Sequence, residues 1–218
     1  MAIEIKSPRE IDAIRKSCQM AAETLLLVGD NLRAGMTTEE INRLVHDDTV
    51  RRGAIPSPLN YHGFPKSVCT SVNEVVCHGI PGTQTLRDGD IINVDVTSFF
   101  GGFHGDTSAT FYIGKPSPEA RHLTEVARKS LELGIEQVRD GGRIGDIGAA
   151  IQEYAEGQGC SVVRQFVGHG IGRKFHEAPQ VAHFGRRHSG DRMRTGMGLT
   201  IEPMIKLGGW EVAGLGGD

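Results

Sequence analysis

AAETLLLVGDNLRAGMTTEEI (21–41) and ARKSLELGIEQVRDGGRIGDI (127–147) are two versions of one plan. Ala127, Leu131, Leu133, Val138, Arg139, Gly141, Ile147 and Gly159 repeat Ala21, Leu25, Leu27, Leu32, Arg33, Gly35, Ile41 and Gly53, each 106 positions later. A constant offset without gaps points to two similar halves. Ser7-Pro8-Arg9-Glu10 opens the first: Ser as N-cap, Pro at the first helical position, Glu three residues after the cap. Ile11, Ile14, Cys18, Ala21, Leu25 and Leu32 then form a stripe at helical spacing, ended by Gly35. Thr37, with Glu40 at N3, starts a second helix whose Ile41, Leu44 and Val45 face inward, and Gly53 follows it. Ser117-Pro118 opens the corresponding pair. The expected architecture is α+β: one domain over residues 1–218, with a first half of about 1–114 and a second of about 115–218, each helix, helix, strands.

Strands follow each helix pair. Asp90–Val96 is β-rich, Ser108–Ile113 is its expected partner, and the glycine-rich 98–105 reads as the turn. Gly198–Pro203 occupies the equivalent place in the second half, where Glu202 stands 107 positions after Asp95.

Bulk properties narrow the partners. The chain has 218 residues, net charge −3 and pI about 6.3, with both signs interspersed and no basic block. Nucleic acid and anionic membrane are therefore not expected. No apolar run reaches the roughly 20 residues of a membrane span. The charged N-terminus does not read as a signal peptide. Cys18, Cys69, Cys77 and Cys160 form no CxxC pair and read as free thiols in a reducing cytoplasm.

Four residues stand out as metal donors. Asp95 and Asp106, with ten residues between them across a hairpin, can bring two carboxylates together. An unpaired Asp95 within an apolar strand run would be costly. His169 sits in Gly168-His169-Gly170-Ile171-Gly172, where small neighbours allow close approach. With Glu202 they make an oxygen-rich set suited to Mn, Fe, Co or Zn rather than a thiolate structural site. Taken singly, each could be a solvated, capping or core group, as Asp90 and Asp146 are expected to be. His176, in Phe175-His176-Glu177-Ala178-Pro179, could donate to a developing oxyanion. His78, before Gly79 and a turn to Pro81, can point into a cleft. His46, His62, His104, His122, His183 and His188 read as surface or loop groups, with His62 the one to watch. Cys69 and Cys77 read as buried small hydrophobes rather than nucleophiles.

At YHGFPKSVCTSVNEVVCHGIP (61–81), INVDVTSFFGGFHGDTSATF (92–111), GHGIGRKFHEAP (168–179) and GLTIEPM (198–204) the chain resembles the bacterial type I methionine aminopeptidases. The resemblance spans almost the whole chain. It implies the pita-bread fold, two pseudo-symmetric halves around a curved antiparallel sheet. It implies two divalent metal ions held by Asp95, Asp106, His169 and Glu202, and attack by a metal-bound water on the first peptide bond. His78 and His176 would be the catalytic groups contacting substrate. Tyr61, Phe64, Cys69 and Phe175, with those two histidines, would bind the initiator methionine. The substrate would be a peptide or nascent-protein N-terminus, with the ribosome as a further contact.

The family also has a fifth ligand, a bridging Glu well after Glu202, and a Trp near the pocket. Trp210 precedes that Trp's place, and Glu211 lies close to Glu202. The resemblance therefore implies a chain shortened at its C-terminus, with the last strands missing, a weaker second metal site and doubtful activity. A monomer is expected, or a swapped dimer that supplies a partner strand. Two other functions remain open: a non-catalytic pita-bread protein that binds peptide or metal, and a proline-directed aminopeptidase. Cys77-His78-Gly79-Ile80-Pro81 argues against the second.

Overall fold

The computed structural model describes residues 2–214. The last four residues, which enter the expectation about the C-terminus, lie outside the described residues. Two compact units divide the chain: a first unit of Asp12–Pro118 with Arg173–Phe175, and a second of Met1–Ile11, Glu119–Gly172 and His176–Asp218.

Helix α1 (Pro8–Asn31), which belongs to the first unit from Asp12 onward, starts where the sequence predicts. Glu10 accepts from the Ser7 N–H at 2.9 Å, and Ser7 Oγ accepts from the Glu10 N–H at 3.4 Å. It ends four residues before Gly35, which supplies positive φ in the following turn. Helix α2 (Thr38–Arg51) has the full capping box between Thr37 and Glu40. Such a cap contributes about 1 kcal/mol. Strands β1 (Ile55–Pro56), β2 (Cys69–Val72), β3 (Ile91–Phe100) and β4 (Phe103–Tyr112) form one antiparallel sheet. β4 pairs along all of β3, while β1 and β2 pair successively with β3. Ile92, Val94 and Val96 alternate onto the face packed against Ala21, Val28, Ile41 and Val45, all fully buried.

The hairpin turn is tighter than the sequence suggested. Instead of a loop over 98–105, the chain reverses at Gly101-Gly102, with φ of 61° and 87°. Two adjacent glycines in the left-handed region allow a two-residue turn that matches strand twist. Both ladders therefore extend to residues 100 and 103, and Asp106 lies within a strand.

The second unit repeats the local plan. Helix α3 is Pro118–Ile135, and α4 (Ile144–Gly157) begins and ends 106 positions after α2. Asp146 accepts from the Arg143 N–H at 3.0 Å, as Glu40 does from Thr37 at 2.7 Å. Gly53 and Gly159 follow these helices with φ of 77° and 76°. Strand β5 (Cys160–Val162) pairs with β8 (Ile205–Leu207), and β6 (Gly168–Gly170) with β7 (Glu177–Val181). The pairings correspond as well. Ser161↔Lys206 and Val162↔Ile205 answer Ile55↔Phe99 and Pro56↔Ser98, with an offset of 106 on the first strand and 107 on the second. Ile147 and Ile151 of α4 pack with Val162, Val181 and Met193 as a separate core.

One expected strand differs. Gly198–Pro203 makes only an isolated bridge, Gly170↔Leu199, and single bonds from Thr200 N–H to His169 O and from Ile171 N–H to Gly198 O. Pro203 has no N–H to continue a ladder. Glu202 thus projects from an extended but irregular segment.

Candidate active-site residues

In the first unit, Asp95 lies opposite Ser108 and Asp106 opposite Thr97. The two aspartates are diagonal neighbours on one face of the hairpin, a relation that places Cα atoms about 7–8 Å apart. That face is not the core face. Asp95 alternates with Val94 and Val96 and is half-buried as a residue, with its Oδ1 shut off from solvent. Period-2 alternation puts the carboxylate on the face away from the apolar core, and with one oxygen shut off from solvent the cost of leaving it uncompensated still applies there.

Cys69 pairs with Asp95 across the other edge of β3. Burial, reinforced by the Asp95, Cys77 and Asp106 charges, pushes its thiol far up. A thiol held protonated is no nucleophile. It is a small apolar surface beside the carboxylates. His78 is exposed in the left-handed region (φ 56°), and its neighbour Gly79 presses against β2. A Cβ at Gly79 would stand 2.1 Å from Thr70 O.

Aromatic groups gather in the same unit. The Tyr61 and Phe175 rings lie 4.9 Å apart, and Tyr61 meets His62 edge-on at 4.3 Å. Phe64 donates its N–H to Tyr61 O in the turn between them. The His104 ring stacks on Phe175 at 5.5 Å, touches Phe99 at 4.7 Å, and has Nδ1 2.8 Å from Ser57 Oγ. Sequence reading treated His104 as a loop group. Its place on β4, opposite Phe99, is the signal that could have revealed it.

In the second unit, His169 is buried, with Nδ1 2.9 Å from Gly170 O. A carbonyl only accepts, so Nδ1 carries the proton and Nε2 of the neutral ring presents a lone pair. That Nε2 lies 3.6 Å from Glu202 Oε1. Thr200 Oγ1 donates to Glu202 Oε1 at 2.6 Å and accepts the His169 N–H at 2.9 Å. Burial raises the Glu202 carboxyl above its ordinary range, with the Thr200 bond opposing it. The His176 ring lies 4.1 Å from that of His169. Both line an open cleft of about 350 Å³ with Gly168, Glu177 and Ala178. Gly168 and Gly170 are required by close approach: Cβ atoms there would stand 2.4 Å from Thr200 O and 2.1 Å from Ala178 O.

His183 was read from sequence as a surface or loop group; it is fully buried. Its Nε2 accepts the Glu202 N–H at 3.1 Å, and burial lowers its pKa to about 4, so it stays neutral. Burial alternates from Pro179 through Val181 to His183, but the sequence shows no matching alternation of polarity, since Ala182 is apolar and His183 polar.

A divalent cation fits the His169–Glu202 pair. Two electron-pair donors face each other at 3.6 Å, one made acceptor-only by its Nδ1 bond. Among the described residues no group of three or more His, Cys, Asp or Glu that could hold a metal ion is found.

The chain matches Metallopeptidase family M24 over residues 12–217. It belongs to that family. Within M24 it is 54% identical over 210 residues to methionine aminopeptidase A of Synechocystis sp., covering 96% of this chain and 83% of that protein. Methionine aminopeptidase of Escherichia coli is 46% identical over 97% of this chain and 81% of its own. The M24 fold agrees: the crystal structure of methionine aminopeptidase from Rickettsia prowazekii matches with TM-score 0.95 at 45% identity, covering 96% of this chain and 85% of that one. The α+β pita-bread architecture implied by the sequence resemblance is therefore that of the chain. A Xaa-Pro dipeptidase from Bacillus anthracis, 22% identical with TM-score 0.80, shares the fold alone. Among the described residues no helix is long and apolar enough to cross a membrane.

Proposed function

We propose that the chain is a metal-dependent aminopeptidase that removes the initiator methionine from new polypeptides. Support comes from its identity to proteins named methionine aminopeptidase over nearly its whole length. The observation that carries the chemistry is the His169 Nε2–Glu202 Oε1 pair at 3.6 Å.

In this reading Asp95, Asp106, His169 and Glu202 hold two divalent ions drawn from Mn, Fe, Co and Zn. The ions supply Lewis acidity and a water acidified to near neutral pKa. The remaining steps belong to the chain's own groups. His169 is held in one tautomer by Gly170 O, which keeps its Nε2 directed outward. Thr200 donates to Glu202 Oε1 and so fixes the orientation of the carboxylate. His176, exposed beside His169, donates a hydrogen bond to the oxygen that gains charge as the carbonyl becomes tetrahedral. His78 contacts the substrate peptide from its left-handed turn. Tyr61, Phe64, Cys69 and Phe175 offer apolar and sulfur surface suited to an unbranched thioether. The acting compartment is the cytoplasm and the substrate a nascent N-terminus.

Incubation with Met-Ala-Ser and Ala-Pro peptides, with Mn(II) or Co(II), tests the assignment. Release of methionine from the first alone is expected. Cleavage of the second alone, or of neither, overturns it.

A further inference from the structure

Glu202 has no ladder to hold it. The backbone from Ile201 to Met204 lies outside every strand, and Pro203 offers no N–H. A carboxylate that must meet a metal within a few tenths of an ångström needs its main chain fixed by something else.

The Glu202 N–H goes to His183 Nε2 at 3.1 Å. His183 is fully buried, and its Nδ1 has no hydrogen-bond partner among the described residues. Burying an imidazole with one ring nitrogen unsatisfied is costly. A leucine of similar volume would fill the space without that cost, so packing alone does not account for the residue.

The segment carrying His183 is itself braced. Gly148 of α4 lies so close that a Cβ there would stand 2.6 Å from Ala182 O and 2.5 Å from Phe184 O. Gln152 of the same helix accepts the Gly185 N–H at 3.0 Å. α4 is packed through Ile147 and Ile151, both fully buried. A rigid helix thus holds residues 182–185, and from them one side chain reaches the Glu202 backbone.

We propose that His183 is a positioning residue for Glu202: its buried ring accepts the Glu202 main-chain N–H and so sets where the carboxylate stands. It touches neither substrate nor metal. The assignment rests on Glu202 being a metal ligand, as proposed above.

Two variants separate positioning from packing. His183→Leu keeps volume and removes the acceptor; His183→Gln returns an acceptor oxygen. Each is compared with wild type by Co(II) titration of metal-free protein, by the visible absorption of the Co(II) form, and by kcat and KM on Met-Ala-Ser. Loss of a group that orients a ligand weakens metal binding about 10-fold or more. The expected pattern for His183→Leu is that weakening, an altered Co(II) spectrum, and a fall in kcat with KM within about twofold. His183→Gln should recover most of the affinity and the spectrum. Wild-type affinity and spectrum in a folded His183→Leu protein would overturn the inference.

Should His183→Leu not fold, the decision passes to a nitrogen–nitrogen coupling across the hydrogen bond, measured on ¹⁵N-labelled wild type. A coupling between the Glu202 N–H and His183 Nε2 supports the inference, and its absence overturns it. Wild type that takes up no Co(II) and cleaves no Met peptide removes the proposed function and this inference together. Wild type that does both, beside an unchanged His183→Leu, removes the inference alone.

Discussion

Lys6 Nζ lies 2.5 Å from Glu177 Oε2, and the two side chains are 4% and 7% exposed. The pair ties the N-terminal segment to β7, next to His176. Lys6 also donates its main-chain N–H to Gly196 O at 2.7 Å. Breaking a buried pair leaves one charge uncompensated, at a cost of about 3–5 kcal/mol. Lys6→Met should therefore lose about 3 kcal/mol in urea unfolding. Lys6→Met with Glu177→Leu should recover part of it, because no lone charge remains. Equal losses in the single and double variants would show that the pair is uncoupled.

The diagonal placement of Asp95 and Asp106 yields a metal prediction. Asp95→Asn and Asp106→Asn should each weaken Mn(II) or Co(II) binding by more than the roughly 10–100-fold of an outer-shell change. Neither should lower thermal stability of the metal-free protein by much, because both residues sit on the sheet face away from the core. Calorimetric titration beside a melting curve separates the two effects. Retained affinity in both variants would remove these aspartates from the site.

Stacking of His104 on Phe175 bears on specificity. If Phe175 forms part of the methionine pocket, Phe175→Ala should lower kcat/KM on Met-Ala-Ser by about 10-fold or more, the scale of a lost apolar contact. Phe175→Leu should retain more. An unchanged kcat/KM in Phe175→Ala would take Phe175 out of the pocket.

Asp48 gives the acid behaviour of the fold. Burial acts to raise its carboxyl, but hydrogen bonds from Thr24, Arg52 and Arg51 outweigh it, so it titrates below the ordinary carboxylate range. A carboxyl depressed in the folded state stabilises fully above its unfolded value of ~3.9 and loses that contribution as pH falls through the folded value. Asp48→Asn should cost about 1–3 kcal/mol near neutral pH, as lost hydrogen bonds to charged groups do. The gap between wild type and variant should close below about pH 4. Urea midpoints measured at several pH values decide it: a gap independent of pH would show that charge is not what stabilises.

Much of this was legible in the sequence because it is local or periodic. The 106-residue offset announced two helix pairs, and α2 and α4 keep that spacing at both ends. Ser7–Glu10 and Thr37–Glu40 specified helix starts through atoms three residues apart. The motifs around Asp95, His169 and Glu202 identified the family, since each carries its residue types in a short run. What the tertiary structure decided depends on groups far apart in the chain. The tight Gly101-Gly102 reversal moved Asp106 into the ladder and made it diagonal to Asp95. His183 is a core residue whose Nε2 accepts the Glu202 N–H, 19 residues on, where no strand supplies an acceptor. His104 left the surface to stack on Phe175, 71 positions away in sequence. Propensity and spacing act over a few residues, whereas burial and hydrogen-bond satisfaction are settled only when the chain has folded back on itself.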